Sequence, residues 1–76
     1  MKVVLYSRKG CHLCENAEEM LLFHHPAAVT VDIDTAIELK QLYSLRVPVL
    51  VIDGQVALEG NFQEREIVRC LTTLAK

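Results

Sequence analysis

Short β-branched runs alternate along this chain with stretches whose apolar residues recur at helical spacing. Residues 3–6 predict a buried strand, and from Cys11 the pattern changes to an amphipathic helix that ends before Pro26. Residues 28–33 are again rich in β-branched side chains and predict a second strand. Strands separated by a helix are expected to be parallel, so this half of the chain predicts a βαβ unit. The predicted apolar stripe of the first helix comprises Leu13, Ala17, Met20, Leu21 and His24.

Two further helices are predicted from capping signals. Asp34 or Thr35 is placed to cap the second helix, and Thr35 with Glu38 has the spacing of a capping box. Asn61, with Glu64 three residues later, has the pattern of a third helix start. The predicted buried face of the second helix consists of Leu39, Leu42 and Tyr43. The predicted apolar face of the third consists of Ile67, Val68, Leu71 and Leu74, with Cys70 on the same face.

The dipeptide Asp53-Gly54 predicts a tight hairpin. It separates the apolar run VLVI, which follows Pro48, from the run QVAL. A type I′ turn needs positive φ at both central residues, and Asp-Gly flanked by β-branched runs is a strong signal for it. We therefore expect two antiparallel strands here.

The element order is therefore βαβαββα, which favours an α/β fold. With 76 residues the chain supports one small domain spanning residues 1–76, and 51% apolar residues suffice for a single core. We expect a mostly parallel four-stranded sheet with one antiparallel hairpin, flanked by helices on both faces. Functional residues of open α/β sheets gather beyond the carboxyl ends of the strands, where the segment CHLC (residues 11–14) lies.

Charge and apolar content exclude several classes of function. A net charge of -2 and a pI near 5.8 disfavour nucleic-acid binding, which usually requires a basic surface. No apolar run approaches the roughly 20 residues of a membrane span, and the first residues are unlike a signal peptide. We therefore expect a cytoplasmic protein without nucleic-acid or membrane partners. In a reducing cytosol, a close pair among three cysteines is expected to be catalytic or metal-binding rather than structural.

Cys11 and Cys14 have the spacing of a redox couple at the start of a helix. One helical turn places their β-carbons about 5–6 Å apart, and a small shift of the frayed helix start brings them within disulfide range. The helix N-terminus stabilises a thiolate, which favours Cys11 as the attacking nucleophile. Cys14 lies one turn inside and is expected to be the resolving thiol. Positive charge near Cys11 is expected from Arg8, Lys9 and, when protonated, His12.

The carboxylate of Glu15 follows the couple directly and is a candidate proton relay for it. No aspartate occurs in the first predicted strand. The group that takes the proton from Cys14 is therefore left open by the sequence.

The same thiols allow a second class of function, which is metal binding. Zinc takes four ligands, and CHLC supplies two thiolates with His12 as the histidine beside them. His24 and His25 fall roughly 20 Å away at the far end of the helix, where a cation meets the negative end of the helix dipole. A dimer that shares zinc or an iron–sulfur cluster through two CxxC pairs is therefore the metal-carrier alternative.

Two motifs and the element order resemble one family. The segments YSRKGCHLC and RVPVLVIDG, in a βαβαββα chain, resemble the glutaredoxin branch of the thioredoxin superfamily. This resemblance implies a thioredoxin-like fold and an enzyme, a thiol–disulfide oxidoreductase that works through Cys11 and Cys14. It also implies that Pro48 is a cis-proline facing the CxxC segment, and that the backbone of Val47 pairs with the substrate. A redox-silent binding module that uses the groove between CHLC and Pro48 is the remaining alternative.

The resemblance leaves the electron donor open. Typical dithiol glutaredoxins carry Pro-Tyr between the cysteines, Thr-Val-Pro at the cis-proline and a Gly-Gly-x-Asp segment before the last helix. The glutathione-binding motif is incomplete here, because the corresponding segments are His12-Leu13, Arg46-Val47-Pro48 and Gly60-Asn61-Phe62. Arg46, Arg8 and Lys9 are candidate cations for a substrate carboxylate. We expect a monomer without a bound cofactor, a protein or small-molecule disulfide as substrate, and a thiol reductant (glutathione or thioredoxin reductase) as electron donor.

Overall fold

The structure is a computed structural model that describes the backbone of residues 1–74 and the side chains of residues 1–72. Within these residues the chain forms four strands and three α-helices in the predicted order βαβαββα. A single turn of 3-10 helix (Ile33–Thr35) joins the second strand to the second helix. The elements are β1 (Val3–Ser7), α1 (His12–His24), β2 (Val29–Asp32), α2 (Ile37–Tyr43), β3 (Val49–Ile52), β4 (Gln55–Glu59) and α3 (Glu64–Leu74).

The strands form one mixed sheet in the order β2-β1-β3-β4, which confirms the predicted α/β fold class. β1 pairs with β2 in parallel, whereas β3 runs antiparallel to both β1 and β4. The prediction of a mostly parallel sheet is therefore wrong, since the described strands form one parallel pair and two antiparallel pairs. The reason is that the connection through α2 leaves β2 and enters β3 at the same edge of the sheet. Seven helical residues rise only about 10 Å, so this short helix does not carry the chain back to the opposite edge.

The strands alternate their side chains between two apolar layers. On one face, the fully buried side chains of Leu5, Leu21, Leu50 and Ile67 join β1 and β3 to α1 and α3. On the other face, the cluster consists of Val4, Ile33, Tyr43, Val49 and Val51. Helices therefore cover both faces of the sheet, as predicted.

The second helix begins later than predicted. The carboxylate of Asp32 accepts a hydrogen bond from the backbone N–H of Asp34 at 2.9 Å, and this cap starts the 3-10 turn instead of α2. The Thr35 hydroxyl donates to the Asp32 carbonyl at 2.7 Å. α2 then begins at Ile37, after Ala36, without a side-chain cap. The predicted cap by Asp34 or Thr35 is wrong because the residues before α2 are used by the preceding turn.

Three residues predicted on apolar helix faces are largely exposed, namely Leu13, Leu42 and Val68 at 43%, 56% and 38%. Neighbouring helical residues point about 100° apart, so the buried Tyr43 turns Leu42 outward and the buried Ile67 does the same to Val68. Leu13 lies at the rim of a cavity beside α1. The prediction for Leu74 concerns a side chain outside the described residues.

The hairpin has the predicted turn, with φ angles of 51° at Asp53 and 83° at Gly54. The third helix starts at Glu64 rather than at Asn61. The backbone N–H of Gln63 donates to the Glu66 carboxylate at 2.8 Å, so the capping interaction lies two residues later than predicted.

Candidate active site

Three loops meet at one edge of the sheet. Ser7 at the end of β1 lies opposite Asp32 at the end of β2, and the antiparallel register places the start of β3 beside the end of β1. The backbone N–H of Gly60 donates to the Pro48 carbonyl at 2.9 Å, which adds the end of β4 to this edge. The CxxC loop, the loop before β3 and the loop after β4 therefore lie together.

Cys11 and Cys14 occupy the start of α1. Cys11 is the N-cap residue, and its sulfur accepts a hydrogen bond from the backbone N–H of Cys14 at 3.2 Å. Both cysteines are free thiols. Cys11 is partly exposed, whereas Cys14 is only 2% exposed. The helix start thus holds an accessible sulfur at the cap and a shielded one a turn behind it.

Several effects raise the pKa of the Cys14 thiol to about 12, and burial is the largest of them. The hydrogen bond with Cys11 is the next, and the negative charges of Cys11 and Glu15 raise the pKa further. A backbone hydrogen bond from Arg8 lowers it and offsets only part of the increase. Cys14 therefore keeps its proton at neutral pH, and Cys11 is the thiol of the pair that a substrate can reach.

The cations before and within the CxxC segment are partly neutralised by carboxylates. Arg8 Nε contacts the Asp34 carboxylate at 3.2 Å. The His12 ring is 94% exposed and its Nδ1 lies 3.7 Å from the Glu15 carboxylate. Lys9 is exposed at the rim of a cavity that also contains Cys14.

Arg46 lies at the same edge of the sheet, and its guanidinium is paired. Its Nε donates to the Glu59 carboxylate at 3.1 Å, and the group lies over the Tyr43 ring at 5.3 Å from the centroid. The hydrogen bond from Arg46 holds the pKa of Glu59 below its usual value. The pair joins the loop before β3 to the end of β4.

The Val47–Pro48 peptide bond is cis, and Pro48 is buried. The backbone N–H of Val47 donates to the Tyr43 carbonyl at 3.1 Å. This N–H is therefore bonded within the chain.

The comparisons with known proteins agree with this geometry. The family model for the glutaredoxin-like domain (DUF836) matches residues 2–72. The chain belongs to this glutaredoxin-like family. No curated protein matches it.

Two solved structures resemble the glutaredoxin-like chain over most of its length. An X-ray structure of a structural genomics target from X. campestris is 36% identical, with a TM-score of 0.82, and the match covers 93% of this chain and 96% of that chain. A solution NMR structure of a protein from Nitrosomonas europaea is 31% identical, with a TM-score of 0.70, covering 91% and 87% of the two chains. The thioredoxin-like fold predicted from the sequence is therefore confirmed.

Two open cavities flank α1 of the glutaredoxin-like domain. The first, of about 330 Å³, lies between α1 and the loop after β4 and is lined by Leu13, Met20 and Phe62 among others. The second, of about 520 Å³, lies between α1, the CxxC loop and β2. The charged residues that line the second cavity are Arg8, Lys9, Glu15, Glu18 and Asp32, and the sulfur-bearing residue is Cys14.

Sequence reasoning missed two of these carboxylates and the ion pairs that Arg8 and Arg46 form. Glu18 follows Cys14 by four residues and therefore shares its helix face, a signal that was present in the sequence. Asp32 reaches the site because β2 is parallel to β1 and ends at the same edge. The pairing of Arg46 with Glu59 depends on the hairpin register and had no signal along the chain.

The remaining histidines and the third cysteine lie away from the CxxC segment. His24 is at the end of α1, as predicted, and its Nε2 lies 2.7 Å from the Glu64 carboxylate at the start of α3. Cys70 packs against the core, and burial raises the pKa of its thiol. Among the described residues there is no group of three or more His, Cys, Asp or Glu side chains placed to bind a metal ion. The helices in this part of the chain also include none long and apolar enough to cross a membrane.

Proposed function

We propose that this glutaredoxin-like domain is a thiol–disulfide oxidoreductase in which Cys11 is the nucleophile and Cys14 the resolving thiol. The observation that carries the proposal is the hydrogen bond from the Cys14 backbone N–H to the Cys11 sulfur at 3.2 Å. An N–H at a helix N-terminus stabilises negative charge on the sulfur it contacts, and the thiolate is the reactive form of cysteine. The partly exposed Cys11 is accessible to a disulfide, while Cys14 is shielded from competing reactions.

The proposed reaction consists of two exchanges. The Cys11 thiolate attacks one sulfur of the substrate disulfide, the substrate S–S bond breaks, and its electron pair leaves with the second sulfur. Cys14 then loses its proton and attacks the Cys11 sulfur of the mixed disulfide, which releases the first substrate sulfur as a thiolate. The substrate gains two electrons, and the protein ends with a Cys11–Cys14 disulfide that a thiol reductant reduces again.

Backbone contacts to the substrate are proposed at Val47 and Pro48. These residues lie at the same edge of the sheet as the CxxC loop, since β3 starts beside the end of β1. The Val47 carbonyl offers a hydrogen-bond acceptor to an extended substrate backbone, while its N–H remains with Tyr43.

Charged contacts are proposed at four cations. Lys9 and His12 are exposed next to Cys11 and meet a substrate anion directly. Arg8 and Arg46 bind such an anion in exchange for the carboxylates that they now contact. Arg46 is bound to its carboxylate through two nitrogens, so Lys9 supplies the readily available positive charge, and His12 adds to it when protonated.

Substrate class, electron donor and compartment follow from the same chemistry. The two thiols carry both electrons, so the proposed reaction needs no bound cofactor. The substrate is a protein or small-molecule disulfide, and the donor is glutathione or thioredoxin reductase. A monomer suffices, because both cysteines lie in one chain. The proposed location is a reducing cytoplasm, where glutathione and thioredoxin systems keep such a pair as free thiols.

A disulfide-reduction assay tests this proposal. Hydroxyethyl disulfide and insulin serve as the small and the protein substrate, with glutathione and thioredoxin reductase as alternative donors. We expect Cys11→Ser to abolish reduction of both substrates and Cys70→Ser, the matched control, to leave it unchanged. Equal activity of Cys11→Ser and the wild type, or a purified protein that holds zinc or iron on these thiols, would contradict the proposal.

A further inference from the structure

The resolving step requires a proton to leave the buried thiol of Cys14, and Cys14 lines an open cavity. Its volume of about 520 Å³ and its polar lining are sufficient to hold water. Arg8 and Lys9 face the cavity from the CxxC loop, Glu15 and Glu18 face it from α1, and Asp32 faces it from β2. Cys11 contacts Cys14 from the cap of the helix. Three carboxylates that line this cavity are therefore candidate acceptors of the Cys14 proton, namely Glu15, Glu18 and Asp32.

The three carboxylates differ in their relation to Cys14. Asp32 already caps the turn that follows β2, because its Oδ1 accepts a hydrogen bond from the backbone N–H of Asp34 at 2.9 Å. Glu18 shares the helix face of Cys14 but lies about two turns from Cys11, the residue that carries the mixed disulfide. Glu15 lies one helical turn after Cys11, because its backbone N–H donates to the Cys11 carbonyl at 3.0 Å, so it is on the helix face of the sulfur that Cys14 attacks. Of the three it is also the carboxylate whose charge raises the pKa of the Cys14 thiol. Its side chain is 66% exposed, so a proton it accepts passes readily to solvent.

We propose that the Glu15 carboxylate accepts the Cys14 proton, through a water molecule in this cavity, while Cys14 attacks the mixed disulfide. This inference rests on the proposed oxidoreductase function. The Cys14 sulfur forms the new bond to Cys11, the bond between Cys11 and the substrate sulfur breaks, and its electron pair leaves on the substrate thiolate. The proton moves from Cys14 to the water and from the water to Glu15, and then to solvent or to the released thiolate. Glu15 acts through the water and does not touch the reacting sulfur atoms. Its role is to hold the water and receive the proton.

The same charge gives Glu15 two opposing effects that an experiment can separate. In the mixed disulfide Cys11 carries no charge, so Glu15 remains as the nearby negative group that opposes a Cys14 thiolate. Transfer of the proton to Glu15 removes this repulsion at the moment when the thiolate is needed. A neutral Gln at this position would ease ionisation of Cys14 if Glu15 acted by repulsion alone, and would remove the acceptor if Glu15 takes the proton.

Stopped-flow reaction with Ellman's reagent separates the two exchanges when every protein, including the otherwise wild-type reference, carries Cys70→Ser, which removes the third thiol. Attack by Cys11 releases a first equivalent of coloured thiolate, and resolution by Cys14 releases a second. We expect Glu15→Gln to leave the first phase unchanged and to slow the second by at least about a hundredfold, the lower end of general acid–base contributions. The second phase of Glu15→Gln should also rise more steeply with pH than that of the wild type, because hydroxide becomes the acceptor. The pH series includes a His12→Gln background, since His12 lies 3.7 Å from Glu15 and pairs with it when protonated.

Glu18→Gln is the matched control, because it removes a carboxylate from the same cavity and the same helix. We expect it to resolve the mixed disulfide at the wild-type rate, and far-ultraviolet circular dichroism checks that both variants are folded. An unchanged or faster second phase in Glu15→Gln would overturn the inference, as would equal slowing in Glu18→Gln. A wild-type protein that releases only the first equivalent would instead contradict the proposed function itself.

Discussion

The sulfur of Cys11 accepts a hydrogen bond from the backbone N–H of Cys14 at 3.2 Å. This contact ties the two cysteines together before any disulfide forms, and it gives them different environments. Cys11 receives an N–H at the start of a helix, whereas Cys14 is buried. The proposed division of labour between an attacking and a resolving thiol is based on this difference.

Alkylation should distinguish the two thiols. With brief exposure to iodoacetamide at neutral pH, we expect labelling of Cys11 and none of Cys14, because the pKa of Cys14 is raised to about 12 and its thiol is buried. Peptide mass spectrometry reports the labelled site, with fully unfolded protein as the control in which both react. Faster labelling of Cys14 than of Cys11 would contradict this assignment.

The raised pKa of Cys14 also predicts a loss of stability at alkaline pH. The unfolded chain releases this proton near pH 8.5, whereas the folded protein holds it until about pH 12, so the folded state binds more protons between these values. The contribution of Cys14 is therefore fully present below about pH 8.5 and is lost as the pH rises. Urea unfolding of the wild type and Cys14→Ala across this range should show a shallower decline for the variant. Parallel curves would show that Cys14 does not titrate in this way.

Removal of the resolving thiol should trap the intermediate. We expect Cys14→Ser, mixed with oxidised glutathione, to accumulate a stable glutathione adduct on Cys11, because the intramolecular attack is missing. Intact-mass analysis measures the adduct, and Cys70→Ser should resemble the wild type, since Cys70 is partly buried against the core and lies away from the CxxC segment. An adduct on Cys70 instead of Cys11 would be inconsistent with the proposed nucleophile.

Release of Arg46 should favour anionic substrates. Arg46 is bound to Glu59, so Glu59→Gln leaves the guanidinium free to meet a substrate carboxylate. We expect a lower KM for oxidised glutathione and an unchanged KM for the uncharged hydroxyethyl disulfide. Glu38→Gln removes an exposed carboxylate from α2 and serves as the control. Equal changes for both substrates would argue against a charged contact from Arg46.

The third helix offers a paired test of the core. Ile67 is fully buried and Val68, the next residue, is 38% exposed. We expect Ile67→Ala to lower the free energy of unfolding by roughly 2–5 kcal/mol, the usual cost of truncating a buried aliphatic side chain, and Val68→Ala to change it little. Urea unfolding measures both, and equal losses would mean that α3 packs with a different face.

Local patterns in the sequence predicted the elements well where a single physical cause dominates. The turn at Asp53 and Gly54 follows from their backbone preferences, and the start of α1 follows from the change in apolar period at Cys11. The direction of β3 was not predictable in this way. The direction of β3 depends on the end of the sheet at which the chain enters this strand after the short helix α2. That point of entry is a property of the assembled fold.

The candidate site shows the same division between local and tertiary information. Cys11 and Cys14 were identified from their spacing, because both roles depend on one helix turn. The pairing of Arg46 with Glu59, and of Arg8 with Asp34, depends on strand register and brings together residues 13 and 26 positions apart. As a result, two of the cations predicted to bind substrate, Arg8 and Arg46, are already paired with carboxylates.

The most direct test of the oxidoreductase proposal is native intact mass of the protein equilibrated in graded ratios of reduced to oxidised glutathione, with and without zinc. We predict a reversible shift between the dithiol and the Cys11–Cys14 disulfide that is independent of zinc and absent in Cys11→Ser. A pair that never closes across the range, or a protein that retains zinc through Cys11 and Cys14, would contradict the proposal.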